Sequence, residues 1–247
     1  MKKWKKKART LALWAVLAIV CSGIQSAGSR AFGAVLTEEE FGPGIFLGQN
    51  ELRGVWISYL EWSKLPKEEA AFQAAVDEMF DNCCDWGMNA VFVHVRSHSD
   101  AVYPSQIYPW SKFASGTAGV SPGYDPLAYM VSAAHERGLK IHAWMNPYRI
   151  TGYQMEWEEV PESSPAKRWL SDSDPSNDRW VLCHDGEWYY NPSSPQVRSL
   201  VIEGVREVVS RYDVDGIHFD DYFYPELNNE NSSRWYLESA LRDMRNI

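Results

Sequence analysis

Tyr212-Asp-Val-Asp-Gly-Ile-His-Phe-Asp-Asp-Tyr-Phe-Tyr-Pro225 is the stretch whose reading decides the architecture. It predicts a buried β-strand over 214–220 that ends in two adjacent carboxylates, Asp220 and Asp221, and then an aromatic loop. An amphipathic helical pattern stands just before it. A strand that delivers acids at its C-terminal end after such a helix is how barrel enzymes build active sites. Carboxylates beside aromatic rings suit a sugar substrate.

Working outward, the same strand–helix alternation fills the sequence upstream. Strands are predicted over 52–59, 90–96 and 139–145. A helix over 67–86 stops at Gly87, a residue suited to the position after a helix end. A second has Asp125 as N-cap, Pro126 at its first position and Gly138 as its stop. A third is capped by Ser193 or Ser194, carries Pro195 at its start and ends near Tyr212. A weaker one runs from about Ser232 to the end of the chain. Strands separated by helices imply an α/β fold with a parallel sheet of the (β/α)8 TIM-barrel type. Only about four βα units are present, which is half a barrel.

Helix-to-strand connections are short and strand-to-helix connections long, at 97–124 and above all 147–192. In a barrel the long loops lie on the C-terminal face and carry function. The second contains Trp157, Trp169, Trp180 and Trp188. It is either a variable surface insertion or a lid or binding wall. Four tryptophans favour the wall, because bare loops rarely carry so much apolar area.

Alternation along the strands assigns faces. Val91, Val93 and Val95, Ile141, Ala143 and Met145, and Ile217 and Phe219 form apolar faces for outer helices. The opposite faces point to the barrel axis and carry His94, Arg96, His142, Asn146, His218 and Asp220. Trp56 shares the inward parity of the first strand. So many buried polar groups must bond to one another or to a ligand. Asp220 points inward and is the leading catalytic candidate, against a structural carboxylate holding Arg96 or a histidine. Asp221 is the partner acid, a brace for its neighbour, or a cap for the next loop. A glycosidase commonly needs two carboxyls roughly 5–10 Å apart. Neighbours on one strand point apart, so a second acid would come from Glu61, Asp100 or another strand.

Three histidines on successive inward faces, His94, His142 and His218, have the chemistry for zinc. No H-x-H spacing supports a metal, so polar core or bonds to sugar hydroxyls is the reading. Tyr103, Trp110, Trp144, Tyr148, Tyr222 and Tyr224 suit stacking on sugars, or ordinary packing. Arg149 suits a clamp on a hydroxyl or acidic substituent. The substrate-binding set is thus Arg96, Asp100, Tyr103, His142, Trp144, Asn146, Arg149, His218 and Tyr222. Phosphate-loop and dinucleotide motifs are absent, and no cofactor is expected.

The N-terminal 33 residues read as a signal peptide: a basic start, an apolar run over 11–20 and an Ala31-Phe-Gly33 cleavage site. The run is short for a spanning helix. Residues 34–50 are a linker, and 51–247 a partial barrel ending after its fourth strand. Removing residues 1–33 takes away seven basic and no acidic residues, which leaves 24 − 7 = 17 against 33, or −16. That surface disfavours nucleic acid and stable membrane association. Cys83, Cys84 and Cys183 are expected as free thiols outside any disulfide framework.

Several motifs together carry a resemblance. They are Leu52-Arg-Gly-Val-Trp-Ile-Ser58, Asp100-Ala-Val-Tyr-Pro-Ser105, Tyr124-Asp-Pro-Leu127, Ala134-His-Glu-Arg-Gly-Leu-Lys-Ile-His-Ala-Trp-Met-Asn-Pro-Tyr-Arg149, Tyr190-Asn-Pro192 and the opening stretch. From about 51 to 225 the sequence resembles the glycosyl-hydrolase-like 10 family of bacterial envelope proteins. The resemblance implies a (β/α)8 barrel, hydrolysis of glycosidic bonds and peptidoglycan glycan as substrate. Asp215-Gly-Ile-His-Phe-Asp220 also resembles the strand-four pattern of amylase-type barrels, while Tyr222 stands where chitinases carry a glutamate. The expectation is an exported glycoside hydrolase cut short, able to self-associate through open sheet edges. The alternatives are a barrel that binds glycan without cutting it and an envelope scaffold.

Overall fold

The computed structural model describes residues 51–152 and 154–220. The proposed signal peptide, the linker, Asp221, Tyr222, Tyr224 and the helix expected from Ser232 lie outside them.

Strand β1 (Gly54–Ile57) leads into a short helix α1 (Tyr59–Lys64) and then the long helix α2 (Glu69–Asp85). Strand β2 (Ala90–Arg96) is followed by a single turn of helix, α3 (Lys112–Ser115), and by α4 (Pro126–Glu136). Strand β3 (Lys140–Met145) opens the long insertion, which holds helix α5 (Pro165–Ser171) and the hairpin β4 (Val181–His184) with β5 (Glu187–Tyr190). Helix α6 (Pro195–Arg211) and strand β6 (Gly216–His218) complete the described residues.

Strands β1, β2, β3 and β6 pair in that order, all parallel, which is the arrangement of one side of a (β/α)8 barrel. Ile57, Val91, Val93, Val95, Ile141, Ala143 and Met145 are buried on one face. Phe72, Val76 and Phe80 of α2, Leu127 and Met130 of α4 and Val208 of α6 join them in one apolar core. The signals that placed these helices are realised atom by atom. Asp125 Oδ1 accepts from the N–H of Ala128, with Pro126 inside the first turn. The Ser194 hydroxyl accepts from the N–H of Val197. Gly87 and Gly138 end their helices at φ +74° and +70°, which a side chain would resist.

Two features depart from the sequence reading. The first strand stops at Ile57, because Ser58 and Glu61 form a capping box that starts α1. Glu61 Oε2 accepts from both the N–H and the hydroxyl of Ser58, at 2.8 and 2.6 Å. The S-x-x-E spacing was legible and outcompeted the strand. The fourth strand is also shorter than the expected 214–220.

The insertion has its own core. Ile150, Met155, Val160, Ala166, Val181, Tyr190 and Val197 are buried together, with the four tryptophans packed around them. Trp157 stacks on Trp188 at 4.1 Å, and Trp169 meets Trp180 edge-on at 4.9 Å. The apolar area that set this loop apart is therefore spent largely on its own packing.

Close approach fixes one glycine. A Cβ on Gly216 of β6 would lie 2.4 Å from His142 Nδ1. Gly216→Ala should destabilise the fold by about 1–3 kcal/mol through overpacking, read as a lower urea midpoint with an unchanged m-value.

Candidate active site

The site is built where the C-terminal ends of β2, β3 and β6 meet. His94 of β2 pairs with Trp144 of β3, and Trp144 pairs with His218 of β6. Side chains at paired positions leave the sheet on the same face. The His94 and Trp144 rings stack at 3.8 Å, within 6° of parallel. Trp144 reaches on to the end of β6, where its indole N–H donates to Asp220 Oδ1 at 2.7 Å. On the other flank, the indole N–H of Trp56 in β1 donates to His218 Nε2 at 3.0 Å. Phe92 lies between these groups, stacked on Trp56 at 4.7 Å and 4.9 Å from His218.

Strands β3 and β6 thus bring His142, Trp144, His218 and Asp220 to one concave face, each at least partly open to solvent. Trp56, at 51 % exposure, joins them. It was legible only as a shared parity with His218.

The remaining expected ligand residues lie deeper. Arg96 was expected on the inward face, and the structure corrects this. An extra residue in β2, Val95, makes a bulge: His94 pairs with Trp144, yet Arg96 pairs with Met145. A bulge resets the alternation, so Arg96 leaves on the helix side of the sheet. There its guanidinium donates to the carbonyls of Asn146 and Pro147 and lies 4.5 Å from the centre of the Tyr108 ring. Alternation could not have revealed a single inserted residue.

Tyr103 was expected to offer a stacking face, but it is fully buried against Tyr212. Asn146 is buried, its side-chain N–H donating to the Ser97 carbonyl. Arg149 is buried over the Tyr59 ring, and its Nε donates to the Thr151 carbonyl. Asp100 is buried with one carboxylate oxygen accepting from the His98 N–H. Burial pushes its carboxyl up, against the pull of Ser111, the His98 N–H and the charges of Arg96 and Arg149. Of the two further acids considered, Glu61 is therefore engaged as a helix cap and Asp100 is sealed in the interior. Among the described residues no group of His, Cys, Asp and Glu side chains forms a metal cluster.

His94 anchors the stack as an uncharged ring. It is 2 % exposed, and burial, with the nearby charge of Arg149, pushes its pKa down from 6.5 to about 3. Charging it would place a cation beneath Trp144 and beside Arg149.

These positions can be set beside known proteins. The sequence profile of the family described as glycosyl hydrolase-like 10 matches residues 51–238. The chain belongs to that family. It is similar to the glycosyl hydrolase YngK of Bacillus subtilis, at 39 % identity over 179 residues, or 71 % of this chain and 34 % of that protein. It is similar also to the glycosyl hydrolase DigH of Escherichia coli, at 36 % identity over 207 residues, or 75 % and 46 %. The chain thus spans less than half the length of either relative. Among solved structures, the α-L-fucosidase isoenzyme 2 from Paenibacillus thiaminolyticus overlaps at a TM-score of 0.49 and 17 % identity, over 78 % of this chain and 29 % of that one.

The low His94 pKa carries a sign. Between pH 6.5 and about 3 the unfolded chain holds a proton there that the folded chain refuses. This residue therefore lowers stability by up to about 1.4 kcal/mol per pH unit as pH falls through that window. Urea titrations at pH 7, 5.5 and 4 should show a shallower loss for His94→Phe than for the parent.

Proposed function

We propose that this protein is an exported glycoside hydrolase acting on a bacterial cell-wall glycan of the peptidoglycan type, with Asp220 as a reacting carboxylate. The observation that carries the reading is the position of Asp220. It lies at the C-terminal end of a parallel strand, oriented by the Trp144 indole N–H and partly open to the concave face. In a family of glycosyl hydrolase-like proteins, that is where a barrel presents its acids. Export rests on the basic and apolar pattern of the first 33 residues.

In this reading Asp220 acts at the glycosidic bond, and a second carboxyl supplies the other half of the acid–base pair. Asp221 is the proposed partner and Tyr222 a proposed sugar contact, both outside the described residues. Trp144, His142 and His218 line the face that meets the sugar, where aromatic rings and imidazole nitrogens suit C–H faces and hydroxyls. The whole relatives are more than twice as long as the matched region, and the rest of such a protein would supply the opposite wall.

A second reading has its own support. Neither Glu61 nor Asp100 reaches Asp220 as a partner acid, since one is a cap and the other is buried. A site with one working carboxylate would hold glycan without cutting it.

Incubation with purified peptidoglycan sacculi separates the two. Under the first reading the chain, extended to the length of its whole relatives so that the opposite wall is present, releases soluble glycan. Asp220→Asn should then cut release by at least about a hundredfold while leaving co-sedimentation with sacculi intact. An unchanged rate in the variant would remove Asp220 from the chemistry. Co-sedimentation without release by that extended chain would favour the binding reading.

A further inference from the structure

His218 Nε2 stands between a donor and an acceptor. The Trp56 indole N–H lies 3.0 Å away and Asp220 Oδ2 lies 3.9 Å away. A single ring nitrogen cannot serve both. If Nε2 carried a proton, it would face the indole N–H hydrogen to hydrogen, because indole nitrogen is a donor only. If Nε2 carries a lone pair, it accepts from Trp56 and offers nothing to Asp220. The distances choose the second arrangement: 3.0 Å is a hydrogen bond and 3.9 Å is not.

We propose that Trp56 is a positioning residue that holds His218 as the neutral Nδ1–H tautomer, so that Asp220 is oriented by Trp144 and keeps Oδ2 for the substrate. The proposal rests on the reading of Asp220 as a reacting carboxylate. The tautomer follows from its hydrogen-bond partner, as it does wherever one ring nitrogen is engaged.

The surroundings agree. Phe92 of β2 packs 4.9 Å from the His218 ring and Trp144 of β3 lies edge-on at 6.1 Å. Among the described residues, the titratable groups facing His218 are His94 and His142, from β2 and β3, and Asp220 beyond the end of its own strand. Burial disfavours the charged form of both histidines. Asp220 is then the one anion of this set, and an imidazolium at 218 would pair with it. Trp56 stands against that pairing through the bond it makes to Nε2. Removing the indole N–H would free Nε2 to take up a proton and donate to Asp220 Oδ2, turning the carboxylate from the cleft toward its own strand.

The tautomer is directly observable. Long-range 1H–15N correlation spectra of the full chain, labelled with 15N-histidine, distinguish protonated from unprotonated ring nitrogens. The chain has six histidines, and His218→Gln assigns the signal by its loss. The expected result at neutral pH is a proton on Nδ1 of His218. In Trp56→Phe, which keeps a ring on Phe92, the proton should move to Nε2; in Trp144→Phe it should stay on Nδ1. A proton on Nε2 in the parent chain overturns the proposal without need of any variant. So does a Trp56→Phe spectrum identical to the parent's. Asp220→Asn tested on sacculi keeps the two ideas apart. Full activity there removes the catalytic reading, and the positioning role with it, while the measured tautomer remains a fact about the fold. With Asp220 shown to be catalytic, Trp56→Phe should lower glycan release by about tenfold or more, and release equal to the parent's overturns the role assigned to Trp56.

Discussion

Strand β2 is buried along its whole length, and both of its neighbours take their register from it. Its central position sets what every other inward group can touch. Phe92 puts a ring beneath Trp56, His142 and His218 at once. His94 gives Trp144 a flat surface on which to lie. The bulge at Val95 then ends the alternation and turns Arg96 to the opposite side of the sheet. One strand therefore decides where the aromatic floor of the cleft stops and where the polar interior beneath it begins.

That interior is dense. Residues 97–103 are all buried, although they form the start of a long connection. They are held by local bonds, such as that from the His98 N–H to Asp100, and by bonds to distant segments. Asn146 donates to the Ser97 carbonyl, and Arg96 to the carbonyls that begin the insertion. Buried polar groups with partners of this kind fix a unique arrangement, and they lose more when broken than surface contacts do. Asp100, Asn146 and Arg149 were expected to contact substrate, and the structure places all three in the interior. Their burial makes them the foundation under the cleft.

Much of the architecture was legible because local signals and tertiary needs agree. Asp125-Pro126 and Ser194-Pro195 start helices, Gly87 and Gly138 end them, and β2 runs over the residues its apolar pattern marked. The misses have separate physical causes. Ser58 and Glu61 cut the first strand short through a capping bond that overrode β-propensity. Val95 inserted one residue into a ladder, and no periodicity reports that the valine between His94 and Arg96 is the extra one. In the insertion, tryptophans were read as exposed contact area, but their spacing follows neither helix nor strand, so only three-dimensional packing shows that they satisfy one another. Trp56 was visible by parity alone, since what makes it matter is a bond to a residue 162 positions away.

The insertion carries a further consequence, in the order of assembly. Its hairpin is joined to the barrel-type sheet through Ser99 and Tyr190, whose hydroxyls meet across 91 residues of chain. Closing so long a loop costs entropy before any contact rewards it. The hairpin's own core, built from residues close in sequence, needs no such closure to begin forming. The insertion is therefore suited to dock late as a preformed unit and to open first under stress, with the sheet beneath it still intact. Amide exchange in β4 and β5 would then run ahead of exchange in β2, giving the insertion a lifetime of its own.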